Sequence, residues 1–247
     1  MKSAVVLAGG KWIRLQALAE DLPKPMIRVG GKPILEHVMA MLKRLGFEKV
    51  YVVVGYKKEL IQEYFGNGEK SGLSITYLEN KFIDSKVKCG LSDAVLLLEG
   101  VLNEPFLTIL GDEIYVNTKH ADMVSSFEAG GCECMLAVNA AEDTGSIKKN
   151  YSVKLDDKRN VLDLVEKPDA PFNNLIGCGT YIFKPSVFDY IRNTNVSERS
   201  GRKELADTMK LMVRDGKTVK AFSLEGKYLN INYPEDIEAA ENLLKQK

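Results

Sequence analysis

The sequence predicts an α/β protein built on a parallel sheet with helices on both faces. Two observations carry that prediction. Short β-rich runs alternate with helical periods in the order strand, helix, strand. The first run, Ala4-Val5-Val6-Leu7-Ala8, then opens into Gly9 and Gly10 with basic side chains spaced behind them. Glycines after a buried strand let backbone N–H groups approach an oxyanion, and Arg14 and Lys24 supply cations for the same anion, so this loop reads as a phosphate site. With 247 residues, 45% of them hydrophobic, the chain can bury the core of one large α/β domain.

Taken in order, β-rich runs fall at 3–8, 49–54, 74–77 and 106–110. Between the first two, residues 33–45 place Ile34, Leu35, Val38, Met41, Leu42 and Leu45 on one face of a helix, closed by Gly46. After about residue 130 the strands alternate in character, at 134–140, 151–156, 161–166 and 178–184. They read as the later part of a mixed sheet with an elaboration suited to an acceptor site. A C-terminal amphipathic helix starts at Asn232-Tyr233-Pro234-Glu235-Asp236, with Pro234 near its first turn and acidic residues at its positive end. No repeat, low-complexity segment or Pro/Ser-rich linker forces a domain boundary.

Several function classes are excluded by composition. Lys and Arg number 34 and Asp and Glu number 34, so no global field holds nucleic acid or an anionic membrane. The apolar run at the N-terminus is broken too early for a signal peptide or a membrane span, which reads as a cytoplasmic protein. Cys89, Cys132, Cys134 and Cys178 have neither zinc spacing nor a redox C-x-x-C, and read as reduced structural residues. His37 lies in the helical stretch and His120 in a polar loop, which gives little support to a catalytic triad or a histidine base. A dinucleotide fingerprint fails as well: the third glycine is missing and the second strand ends in Val54-Gly55 without an acid. No kinase-type phosphate loop occurs either.

Two further constellations carry chemistry. Leu110-Gly111-Asp112 ends an apolar strand, and a carboxylate at that edge of an open sheet can share Mg²⁺ with a triphosphate. Val165-Glu166-Lys167-Pro168 ends another strand with an acid and a base side by side, suited to a sugar hydroxyl and a phosphate.

Together these residues resemble the sugar-1-phosphate nucleotidyltransferase family. The likeness runs through LAGG at 7–10, RL at 14–15, PKPM at 23–26, VGGKPILEH at 29–37, GD at 111–112, EKP at 166–168 and PED at 234–236. It implies a Rossmann-like three-layer α/β/α fold with a mixed, mostly parallel central sheet. It also implies one nucleotidyltransferase domain over 1–247, with a nucleotide-binding part at about 1–130, an acceptor-binding part at about 131–230 and the C-terminal helix at 234–247. The implied reaction joins an NTP to a phosphorylated sugar or polyol with release of pyrophosphate and with Mg²⁺; self-association into a homo-oligomer is left open. By the same resemblance Arg14, Lys24 and Asp112 are catalytic. Leu7, Ala8, Gly9, Gly10, Lys11, Glu79, Asn80, Gly90 and Gly111 lie along the nucleotide. Ser152, Glu166, Lys167 and Gly177 meet the acceptor, and Asp112 and Asn230 hold the metal.

The chain departs from the family pattern in its motifs. In the glycine loop Trp12 stands for a glycine, Ile13 for a threonine, Ala17 for a proline and Ala19 for a threonine. Asn230 stands where the family carries a metal-binding aspartate, and Ser152 where it commonly carries a glycine. These changes support a second expectation, a noncatalytic relative that binds a nucleotide or sugar phosphate or serves as an interaction subunit.

Overall fold

A computed structural model describes residues 1–10, 22–81, 89–141 and 143–245. The first segments are β1 (Ser3–Leu7), a 3-10 turn at Lys24–Met26, the short strands β2 (Arg28–Val29) and β3 (Lys32–Pro33), α1 (Ile34–Arg44), β4 (Lys49–Val54), α2 (Lys58–Phe65) and β5 (Ser74–Glu79). Next come α3 (Leu91–Leu96), β6 (Phe106–Leu110), β7 (Glu113–Val116) and α4 (His120–Glu128). They are followed by β8 (Cys134–Ala140), α5 (Thr144–Lys148), β9 (Tyr151–Leu155), β10 (Val161–Glu166) and β11 (Leu175–Phe183). The chain ends with α6 (Val187–Asn193), α7 (Leu205–Arg214), β12 (Val219–Ser223), β13 (Lys227–Asn230) and α8 (Pro234–Lys245).

Seven strands form one mixed sheet in the order β12-β8-β11-β6-β1-β4-β5. β1, β4 and β5 run parallel to their neighbours among these three, β12 is parallel to β8, and β11 is antiparallel to β8. The predicted helix over 33–45 is α1: its buried stripe includes Ile34, Leu35, Val38 and Leu42, Glu36 sits in its first turn, and Lys43 and Arg44 complement its negative end. The strand over 178–184 begins earlier than expected, because Gly177 conceals the β character of Leu175–Phe183.

The contacts divide the chain into two compact units. One contains Lys2–Val87, Ile109–Thr118 and Gly226–Lys247. The other contains Met1, Lys88–Thr108 and Lys119–Glu225. In the first unit the carboxyl ends of the strands are tied level with one another: Ala8 N donates to Val53 O at 2.8 Å, Asn80 N to Val54 O at 2.8 Å and Gly111 N to Leu7 O at 3.0 Å. This unit also holds an apolar cluster of Ile27, Val29, Ile34, Ile114, Val116, Ile231 and Ala240, with Ile237 and Leu244 of α8 packed on it. β7 and β13 pair antiparallel beside that cluster, with Asn230 opposite Glu113 and Tyr228 opposite Tyr115. Gly226 sets up this pairing: its φ is +62°, and a Cβ there would lie 2.4 Å from Asn117 O.

In the second unit β9 and β10 pair antiparallel, which puts Glu166 opposite Tyr151 and Val165 opposite Ser152. Tyr151 is buried, and its hydroxyl donates to Ala137 O at 2.9 Å and Cys178 O at 3.0 Å. Its ring fills the space that a side chain at Gly177 would need, a Cβ there lying 2.2 Å from the ring. Gly177→Ala should therefore cost about 1–3 kcal/mol of stability, read as a lowered urea midpoint. The penalty should shrink in a Tyr151→Ala background. An equal penalty in both backgrounds would show that the ring is not what requires the glycine.

Candidate active site

Lys24 enters the first unit behind Pro23, whose extended backbone leads into the Lys24–Met26 turn. Met26 and Ile27 are buried in the core, and the turn carries the Lys24 side chain inward, leaving the residue only 9% exposed. A buried ammonium has to find oxygen partners. Three converge on it: Asp112 Oδ2 in an ion pair, Asn232 Oδ1 at 3.1 Å and Asn230 Oδ1 at 3.5 Å. Asp112 lies in the turn between β6 and β7, Asn230 ends β13, and Asn232 precedes α8.

Each partner is fixed by backbone contacts. Ile231 N donates to Asp112 O at 3.1 Å, which ties the end of β13 to the Asp112 turn. Asp236 Oδ2 accepts from Asn232 N at 2.6 Å and Tyr233 N at 2.7 Å, anchoring the segment that presents Asn232. Beside them Glu113, only 1% exposed, accepts from the hydroxyl of Tyr115, from Tyr228 Oη at 2.7 Å and from Asn230 Nδ2 at 3.3 Å. Sequence reasoning missed Glu113, Tyr115, Tyr228 and Asn232; alternation puts Glu113 with Tyr115, and Tyr228 with Asn230, on a shared strand face, but not the two faces together.

The second unit presents Glu166 and Lys167. Lys167 has a left-handed backbone, φ +45°, unusual for a residue with a side chain. Its N–H donates to Asn150 O at 2.5 Å, and its carbonyl accepts from Arg199 Nη1 at 2.7 Å. The Lys167 ammonium is half exposed and lies 3.8 Å from the largely buried Glu166 carboxylate. Burial, with the Glu204 carboxylate adding to it, pushes the Glu166 carboxyl up to about 7 against the opposing pull of Lys167 and Arg199.

A buried cation ringed by a carboxylate and two amide oxygens sits at the carboxyl edge of a mostly parallel sheet. The chain matches the family described as Nucleotidyl transferase over residues 3–246. The chain belongs to that family. Among similar proteins, UTP--glucose-1-phosphate uridylyltransferase AglF of Haloferax volcanii is 37% identical over 98% of this chain and 96% of its own length. Bifunctional protein GlmU of Methanocaldococcus jannaschii is 36% identical over 99% of this chain but 54% of its own length, so this chain spans about half of that relative. A UDP-glucose pyrophosphorylase complexed with UDP-glucose shares the fold with a TM-score of 0.85 and 22% identity, over 100% of this chain and 99% of that one. The inositol-1-phosphate CTP transferase from T. maritima does so with a TM-score of 0.81 and 21% identity, over 99% of this chain and 96% of that one.

The remaining expected residues of this nucleotidyl transferase fall into three groups. Lys11 and Arg14, with the departures Trp12, Ile13, Ala17 and Ala19, lie outside the described residues. Leu7, Ala8, Gly9, Gly10, Asn80 and Gly111 gather at the carboxyl ends of the strands in the first unit. A Cβ on Gly10 would meet no described atom within 4 Å, whereas one on Gly111 would press on Ala8 Cβ at 3.3 Å. Glu79 is ion-paired to Lys58 at 2.7 Å, which lowers its carboxyl below the usual range. In the second unit Gly90 packs against the backbone of Lys203, where a Cβ would lie 2.0 Å from the carbonyl oxygen. Ser152 is fully buried, and its Oγ accepts from Phe172 N at 3.0 Å.

One expectation is corrected. His120 is not in a polar loop but is the first residue of α4, 1% exposed and 3.3 Å from Thr180 Oγ1. Burial drives its imidazole down to about 3, so it stays neutral at working pH. His37 sits in α1 with Nε2 2.9 Å from Val29 O. Cys132, Cys134 and Cys178 are buried thiols, and burial raises those of Cys132 and Cys134.

The Glu166 shift has a testable sign. The unfolded carboxyl titrates near 4.5 and the folded one near 7, so between these values the unfolded chain binds fewer protons. Stability therefore falls as pH rises through that window, by up to about 3 kcal/mol. Glu166→Gln should be nearly neutral at pH ~4 and stabilising by about 1–3 kcal/mol at pH ~8. Urea titrations at the two pH values check this, and a pH-independent difference would refute it.

Proposed function

We propose that this chain is a cytoplasmic, Mg²⁺-dependent nucleotidyltransferase that transfers the nucleotidyl group of an NTP to a sugar-1-phosphate, giving an NDP-sugar and pyrophosphate. The observation that carries the reading is the buried Lys24 ammonium held by Asp112, Asn230 and Asn232 at the carboxyl edge of the sheet. The likeness to AglF over nearly the full length of both proteins supports UTP and glucose-1-phosphate as the first pair to test.

In this reaction an oxygen of the acceptor phosphate attacks the α-phosphorus in line. The new P–O bond forms as the α–β bridge breaks, and pyrophosphate leaves with the electron pair. Lys24 stabilises the charge that grows on the reacting phosphates, from a site already oriented by its oxygen partners. Glu166 is matched to an acceptor hydroxyl, and Lys167 presents a cation for the acceptor phosphate. Gly9 and Gly10 leave room for the triphosphate, which Lys11 and Arg14 engage by the family likeness.

The donor chemistry around Lys24 fits Mg²⁺, which prefers oxygen ligands and uses few protein carboxylates. Asp112 and Asn230, whose oxygens also meet the Lys24 ammonium, would hold the ion. An ion held there would supply charge neutralisation of the triphosphate. Among the described residues no group of three or more His, Cys, Asp or Glu could hold a metal. No helix of the described residues is long and apolar enough to cross a membrane.

Pyrophosphate release from four NTPs against a panel of sugar and polyol phosphates tests the proposal, with UTP and glucose-1-phosphate expected to lead. Lys24→Ala should lower kcat by about 10²–10³-fold. Lys167→Ala should instead raise the acceptor KM by roughly tenfold with a smaller effect on kcat. Exchange of these patterns would exchange the two subsites. Binding of NTP without pyrophosphate release from any pair would establish the noncatalytic alternative.

A further inference from the structure

We propose that Glu113 is the positioning residue of the cation site. Its carboxylate, held by two tyrosine hydroxyls, selects an amide at position 230 and turns the amide oxygen toward Lys24 and the metal. This deepens the reading of the Asp112 and Asn230 oxygens as a Mg²⁺ site and rests on it.

The pairing of β7 with β13 sets Asn230 opposite Glu113 and Tyr228 opposite Tyr115. Side chains alternate along a strand, so these four share one face of the ribbon. The tyrosine rings lie 5.3 Å apart, and both hydroxyls donate to Glu113. Glu113 is thereby a fixed acceptor in a buried place.

Asn230 stands between groups of opposite demand. Glu113 accepts from Tyr115, Tyr228 and Asn230, and an ammonium only donates. Asn230 gives Nδ2 to Glu113 Oε1 at 3.3 Å and presents Oδ1 to Lys24 Nζ at 3.5 Å. Only the amide, among side chains of this length, meets both demands. An aspartate in the same place would set an acceptor oxygen against Glu113 Oε1 and remove the Nδ2 donor that Glu113 now accepts from, a mismatch that costs stability. The departure at 230 is thus matched locally: the carboxyl group expected on β13 stands on β7, opposite it, instead.

The experiment compares the native chain with Asn230→Asp, Glu113→Gln and the double variant, by thermal melts in EDTA and in a titration with MgCl₂ alone. In EDTA, Asn230→Asp should lower Tm by about 5 °C or more. The double variant should recover most of that loss, because glutamine can donate to the new carboxylate. Glu113→Gln alone should weaken the Mg²⁺-induced rise in Tm, with an apparent Kd about tenfold higher, and Asp at 230 should restore it. Asn230→Asp as stable as the native chain, or a double variant no better than the sum of its parts, would overturn the proposal. If MgCl₂ leaves the native Tm unmoved at every concentration, the metal assignment under Proposed function fails. The EDTA melts still decide whether Glu113 dictates the amide at 230.

Discussion

The buried ammonium of Lys24 is the constraint on which the site depends. A cation taken out of water is tolerated only with partners, and removing one partner of a buried pair costs about 3–5 kcal/mol. The chain meets that demand from three distant segments: the turn after β6, the end of β13 and the approach to α8. Those segments are then held by contacts of their own, Ile231 to Asp112 and Asp236 to the backbone of Asn232 and Tyr233. The C-terminal helix is therefore part of the site's construction, docked by Ile237 and Leu244 on the cluster that also contains Ile27 and Ile114.

The second unit solves a different electrostatic problem. Glu166 is largely screened from water near acidic Glu204 and is counterbalanced by Lys167 and Arg199. Arg199 also donates to the carbonyl of Lys167, the residue with the left-handed backbone. The strain is maintained by two hydrogen bonds from opposite directions, at the N–H and at the carbonyl. An acid–base pair that looked ordinary in the sequence thus sits on a backbone of unusual conformation.

Local periodicity made much of the fold legible. Short β-rich runs located β4 and β6, and strands of alternating character β8 and β10, at the expected bounds, and the apolar stripe of α1 was plain in residues 33–45. What stayed hidden was non-local. Nothing near Tyr228 or Asn230 says that they face Tyr115 and Glu113, because register between strands more than a hundred residues apart is set by tertiary packing. His120 misled for a similar reason: polar neighbours suggested a loop, whereas α4 begins there and turns the ring inward. Gly177 and Gly90 were legible as glycines of a family pattern, yet their surroundings supply a packing reason in Tyr151 and Lys203.

The PED segment at 234–236 shows how a recognisable motif can act at one remove from chemistry. Pro234 opens α8 at a position where a missing N–H costs nothing. Asp236 places its carboxylate on the two backbone N–H groups before the helix, where the dipole also favours negative charge. Neither residue reaches Lys24, but the N–H that Asp236 holds belongs to Asn232, whose side-chain oxygen does. The motif thus fixes the entry of a helix, and through that entry the third oxygen around the buried cation. An acidic residue in a family signature can therefore be required for where it holds the backbone, while its neighbour makes the contact.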